Sequence, residues 1–165
     1  MVFSGDEYVE AMTKVDGLIK QLMTLAASSK PKMMVPAIRA LGNGLTGDDI
    51  NTEAMMSAGY LDMASYMLTS EERKPDSVIK DVIWGLSNIA AGTSSQQHRL
   101  AASTYILAEV GHQIKGADFK IRKVSLTILF FMIFLKMTER SFASKILSSV
   151  FGNLHIVYVT VKNLA

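Results

Sequence analysis

The 165-residue chain contains no cysteine. Disulfide frameworks, cysteine-ligated zinc and thiol nucleophiles are excluded together, and a reducing compartment, cytosol or nucleus, is the expectation. Proline is scarce, at 3 residues, so few positions force a break in regular structure. Charge is also sparse: 19% of residues are Asp, Glu, Lys or Arg while 49% are apolar, a composition that folds and does not read as disorder. The length suits one domain, residues 1–165.

Long hydrophobic runs are missing. The longest, Leu126–Leu135 (LTILFFMIFL), sits between Lys123 and Lys136 and is about half of the ~20 residues that a membrane span needs. A buried helix is the expectation, with a membrane-associated chain as the alternative. The opening MVFSGDEYVE is acidic and lacks a basic flank before an apolar run, so no secretory signal is expected.

Constellations for catalysis or metal binding are equally thin. His98, His112 and His155 are far apart, and none has a partner at the spacing of a helical metal site. Asp48–Asp49 and Glu71–Glu72 read as solvated turns, and no serine occupies a Gly-x-Ser-x-Gly elbow. GNGLTGDD follows a helical pattern and lacks the Gly-Lys-Ser/Thr ending of a phosphate loop. KIRK (120–123) and Arg99 supply basic surface without interleaved aromatics, which argues for a solvated repeat edge over a nucleic-acid site. The expectation is a binding protein with no enzymatic activity, no cofactor and no metal. The 11 methionines read as core filler, with a promiscuous binding surface as the alternative.

What is present is helical periodicity. Leu18, Leu22 and Leu25, then Val35, Ile38, Leu41 and Leu45, recur at three- and four-residue spacing. Breaks near Ser28–Pro31, Gly44–Asp49, Gly59, Ser70–Asp76, Gly92–Gln96, Gly116–Asp118 and Gly152 leave eight to eleven helices of about 8 to 17 residues. Only Leu154–Val161 is as compatible with a strand as with a helix.

One pattern occurs twice, as VPAIRALGNGLTGDD and as KDVIWGLSNIAAGT, with Asn43 and Asn88 aligned at a shift of 45 residues. A period in the low forties marks armadillo and HEAT arrays, and three helices per unit (51–58, 60–68 and 77–91) favour armadillo. The predicted fold is therefore an all-α, right-handed superhelical solenoid of three to four repeats, at about 16–48, 49–93 and 94–137, with terminal helices over 138–165. Such units stack, and the third helix of each lines an inner groove.

On a wheel of about 100° per residue, Trp84, Asn88 and Asp81 fall within about 60° of one another, and Ile79, Val82, Ile83 and Leu86 lie opposite. Trp84 is thus expected on the groove side despite the usual preference of tryptophan for a core. The preceding unit repeats the arrangement, with Arg39 in place of Trp84 and Asn43 in place of Asn88. Paired amides can clasp an extended backbone whatever its side chains, although helix capping is an alternative role for either asparagine. An exposed indole beside Asp81 suits the stem and charge of Lys or Arg. Residues 1–81 carry 8 Lys/Arg against 12 Asp/Glu, which also favours basic partners.

These segments resemble the sixth and seventh repeats of importin alpha (karyopherin alpha), including arginine for tryptophan in the sixth. DFKIRK (118–123) resembles the opening of the third helix of its eighth repeat, so the resemblance covers about 34–123. It implies a nuclear import adaptor, found in cytoplasm and nucleus, that binds Lys/Arg-rich nuclear localisation signals and engages other nuclear transport factors. It further implies that Trp84, Asn88, Ser87, Asn43 and Thr52 are groove contacts of the minor signal site, with Asp49 and Asp81 as partners for basic residues. Where the eighth repeat carries an acidic residue, a tryptophan and an asparagine, this chain has Val124, Thr127 and Phe131. The third pocket is expected to be absent, leaving a scaffold without a transport role as the alternative. The family's basic importin-beta-binding segment and the early repeats of its major site have no match in these residues.

Overall fold

The computed structural model describes residues 5–28, 30–72, 74–116 and 118–138. The terminal helices expected beyond 138, and the ambiguous Leu154–Val161, lie outside the described residues. Among those described there are helices and turns but no strand.

The helices fall into three triplets. The first is α1 (Gly5–Lys14), α2 (Leu18–Ala26) and α3 (Pro31–Gly44); the second is α4 (Asp49–Ser57), α5 (Tyr60–Thr69) and α6 (Asp76–Ala90). The third is α7 (Ser94–Ala102), α8 (Thr104–Gly116) and α9 (Phe119–Thr138). Local chemistry sets most boundaries. Pro31 stands in the first turn of α3, where its missing N–H costs nothing. The Asp48 side chain accepts from Asn51 N (2.8 Å) to open α4. Thr93 and Gln96 form a reciprocal capping box at α7, and Asp118 accepts from Ile121 N (2.9 Å) at α9.

Two breaks escape the apolar spacing. Gly17 takes a φ of 71° between α1 and α2, a left-handed conformation that glycine adopts without a Cβ penalty. Ser103 separates α7 from α8 without glycine or proline nearby. In the other direction, α9 runs unbroken for 20 residues, longer than expected, because nothing between Phe119 and Thr138 interrupts it.

The third helices form a continuous inner layer, α3 against α6 and α6 against α9, while α5 packs on α8 behind them. Two contacts show that α3 and α6 run parallel: Arg39 meets Asp81, and Gly42 meets Trp84, each 42 residues on. Ile38, Leu41, Ile83, Leu86, Ile89 and Ile128 on this layer are completely buried. Each such side chain contributes about 1.5–3 kcal/mol relative to exposure, which drives triplets to stack because none can bury its faces alone. Six methionines, Met34, Met55, Met56, Met63, Met67 and Met132, are buried in the same core. Their unbranched side chains fill the irregular gaps between stacked helices.

A polar seam ties the second triplet to the third. Gln96, 2% exposed, accepts from Thr93 N and donates to the Asp49 carbonyl at 2.9 Å. Three residues further along, Arg99 pairs with Glu53. The Glu53 carboxyl is held below its ordinary pKa by the Ser57 hydroxyl first, then by Arg99.

Candidate functional site

The inner layer brings Arg39, Asn43, Asp81, Trp84, Ser87 and Asn88 to adjoining helices, α3 and α6. Trp84 is half-buried, and its ring edge lies against α3: a Cβ added to Gly42 would stand 3.2 Å from both Cε3 and Cζ3. Gly42 therefore lets the indole lie close to a neighbouring backbone while keeping part of the ring open to solvent.

Asp81 is not available as the wheel alone suggests. Its side chain is 10% exposed, and Oδ2 accepts from Nε and Nη2 of Arg39 at 3.2 and 3.1 Å. The guanidinium, whose side chain is 59% exposed, offers the fork that a buried carboxylate needs, so the pair closes within the protein. In this arrangement Arg39 already supplies the cation that Asp81 was expected to take from a ligand.

The two asparagines differ in burial but share a helix position. Asn43 is exposed, while Nδ2 of Asn88 is buried and has no hydrogen-bond partner. Neither side chain caps its helix. The ends of α3 and α6 are closed by backbone donors, Leu45 N to Leu41 and Gly42 carbonyls and Ala91 N to Ser87 and Asn88 carbonyls. An orphan amide donor costs about 1–3 kcal/mol, so Asn88 is held at the expense of stability. The Ser87 hydroxyl spends its proton on the Trp84 carbonyl at 2.7 Å and is left only as an acceptor.

The remaining expected contacts lie elsewhere. Thr52 is 4% exposed in the packing of α4, which takes it out of any open surface. Asp49 opens α4 with an exposed side chain, its carbonyl occupied by Gln96. On α9, Val124 and Phe131 are half-buried against the core, and Phe131 meets Phe130 edge-on with centroids 6.0 Å apart. Thr127 is exposed and donates to the Lys123 carbonyl at 3.2 Å. The asparagine and tryptophan array thus stops at α6.

Exposed lysines also stand on this side of the inner helices, two of them in the basic KIRK stretch. Lys80 lies one turn before Trp84 on the same side of α6, Lys32 two turns before Arg39, and Lys120 and Lys123 likewise precede Thr127; all are exposed. Among the described residues no three His, Asp or Glu side chains gather as a metal site, and no helix is long and apolar enough to cross a membrane.

Importin alpha subunits are among the curated relatives that match the chain. Importin subunit alpha-1a of Oryza sativa subsp. japonica is 34% identical over 80 residues, covering 48% of this chain and 15% of that protein. Importin subunit alpha-3 of Arabidopsis thaliana is 29% identical over 81 residues, covering 49% and 15%. Importin subunit alpha-2 of rice is 30% identical over 104 residues, covering 60% and 19%. Among solved structures, a designed armadillo repeat protein superposes with a TM-score of 0.67 at 19% identity, over 80% of this chain and 58% of that one. A second, in complex with the peptide (KR)4, gives 0.67 at 16% identity over 89% and 66%.

The chain has an armadillo fold and, over about half its length, is similar in sequence to importin alpha subunits.

No family model matches it. The importin alpha-like repeats occupy only a small part of the relatives' length, 15% of the first. All-α armadillo stacking is nevertheless shared across most of the chain with designed proteins of the same fold.

Proposed function

We propose that the chain binds an extended polypeptide segment along the open face of α3 and α6, and that it acts by binding alone. The buried, unpartnered Nδ2 of Asn88 carries the reading. A donor kept unsatisfied beside a half-exposed indole is a poor structural element, and the amide becomes a peptide clasp when it turns from its buried position toward the open face and meets a ligand carbonyl. Asn43 offers an equivalent amide on the neighbouring helix. Packed helices stand about 8–10 Å apart, close to the roughly 7 Å spanned by two extended residues, so the amides suit alternate positions of a bound backbone.

The finer reading is a nuclear import adaptor for Lys/Arg-rich signals, working between cytoplasm and nucleus with other transport factors. The importin alpha likeness supports it, as does the (KR)4 peptide bound to a neighbour of the same fold. Asp49 remains a partner for a basic residue on this reading, whereas Asp81 becomes one only after Arg39 leaves.

Trp84 is the sole tryptophan, so its emission reports on this face directly. Titration with (KR)4 and with the same-length peptides (DE)4 and (GS)4 should quench or shift that emission for at least one of them. Emission unmoved by all three, with circular dichroism confirming the fold, would rule out the groove.

A further inference from the structure

We infer that Arg39 is a resident competitor for the ligand: it occupies Asp81 as a Lys or Arg of the bound segment would, and so sets how strongly a basic residue is read beside Trp84. This rests on the groove reading above and assigns a specificity-determining residue to it. The competition falls at one point of the groove. Arg39 reaches Asp81, and Gly42, three residues further along α3, receives the ring edge of Trp84, three residues further along α6. Asp81 and Trp84 are therefore offset by roughly 4.5 Å of helix rise. A Lys or Arg stem laid across the open part of the indole spans that offset and brings its charge to the carboxylate.

Other charges near this face do not make the same choice. Asp76 and Lys80 stand one turn apart at the start of α6 and are opposite in sign. Asp76 also lines, with Glu71, Glu109 and Asp118, a separate cavity of about 390 Å3 between the starts of α6 and α9. Lys120 and Lys123 belong to α9, across α6 from α3, and Lys32 lies two turns before Arg39. Arg39 and Asp81 thus decide the sign met by a side chain resting on Trp84.

The hold on Asp81 is exchangeable. Nε and Nη2 both converge on Oδ2, and neither bonds Oδ1, so the fork does not make the two parallel bonds of a full Arg–carboxylate pair. The Arg39 side chain is more than half exposed and can return to water, whereas a carboxylate as buried as Asp81 is costly to leave without a cation. A ligand cation that replaces Arg39 keeps Asp81 paired. Affinity for basic segments is lowered in proportion to the fraction of molecules in which Arg39 holds the site.

The test uses the full chain and Trp84 emission, with (KR)4 and (GS)4 at about 0.3 M salt, where long-range charge effects are screened. Arg39→Gln should tighten (KR)4 about tenfold and leave (GS)4 within about twofold. It should also lower the melting temperature, and saturating (KR)4 should restore much of that loss by supplying the missing cation. In an Asp81→Asn background the same substitution should change (KR)4 affinity less than about twofold, because the carboxylate to be exchanged is gone. If Arg39→Gln does not fold, Arg39→Lys takes its place: the ammonium lacks the fork, and (KR)4 should tighten about threefold. Unchanged or weaker (KR)4 binding by the Arg39 variants, or an equal gain with and without the Asp81 carboxylate, would overturn the role of Arg39 and leave the groove standing. Emission that neither peptide moves in the parent or in any variant would remove the groove and this inference together.

Discussion

Gly85→Ala should destabilise the protein by about 3 kcal/mol, or about 6–12 °C in melting temperature for a chain of this size. Helix propensity alone gives the opposite sign, since alanine in a helix interior is favoured over glycine by about 1 kcal/mol. Packing decides otherwise. A Cβ at Gly85 would lie 2.0 Å from the Tyr60 hydroxyl oxygen and 2.8 Å from Cζ. Tyr60 is completely buried, with its hydroxyl directed at the Val82 carbonyl 3.4 Å away, and it cannot swing aside. Burial first, and the nearby Asp81 charge second, push its phenol well above the ordinary tyrosine pKa, so ionisation offers no relief. Thermal melts of Gly85→Ala, Tyr60→Phe and the double variant provide the check. The double variant should recover part of the loss, because the nearest atom is gone while Cζ remains. A neutral Gly85→Ala would mean that α5 and α6 are further apart than described.

Asn88→Ala and Trp84→Ala should separate stability from binding. Removing the orphan donor of Asn88 takes away a cost of about 1–3 kcal/mol, so Asn88→Ala is expected to melt at or above the parent temperature. Peptide affinity should move the other way, by about tenfold for Asn88→Ala and about 100-fold for the double variant with Trp84→Ala, since a buried tryptophan anchor commonly contributes 2 kcal/mol or more. Calorimetric titration reads the affinity where tryptophan emission is lost. Stability falling together with affinity in Asn88→Ala would show that the amide is a structural group with a partner. Such opposed effects are the usual mark of a residue kept for binding at the expense of the fold.

Much of this architecture is legible in the chain because solenoids are built from local, repeated patterns. The three- and four-residue spacing of Ile38, Leu41 and Leu45, and the 45-residue shift between Asn43 and Asn88, are sufficient for an all-α stack. Gly17 and Ser103 were less legible, since one is an isolated glycine and the other a break without a breaker residue. The wheel around Trp84 identifies a face but not its internal partners. Arg39 and Asp81 lie 42 residues apart and meet only through the register of neighbouring helices, so their ion pair belongs to tertiary structure. Thr52, named through family likeness, is buried by the packing of α4, which a motif position does not record. Charge counted by halves of the chain does not record how stacking sorts residues: the first half is acidic, while the inner helices carry more Lys/Arg than Asp.

The most direct test of the groove is nuclear magnetic resonance of the side-chain amides as peptide is added. The Asn88 amide protons, which have no acceptor in the free protein, should shift downfield on binding, with the Asn43 amide and the Trp84 indole N–H shifting in the same titration. Shifts confined to Phe130 and Phe131 on α9, with both asparagines unmoved at saturation, would contradict the account.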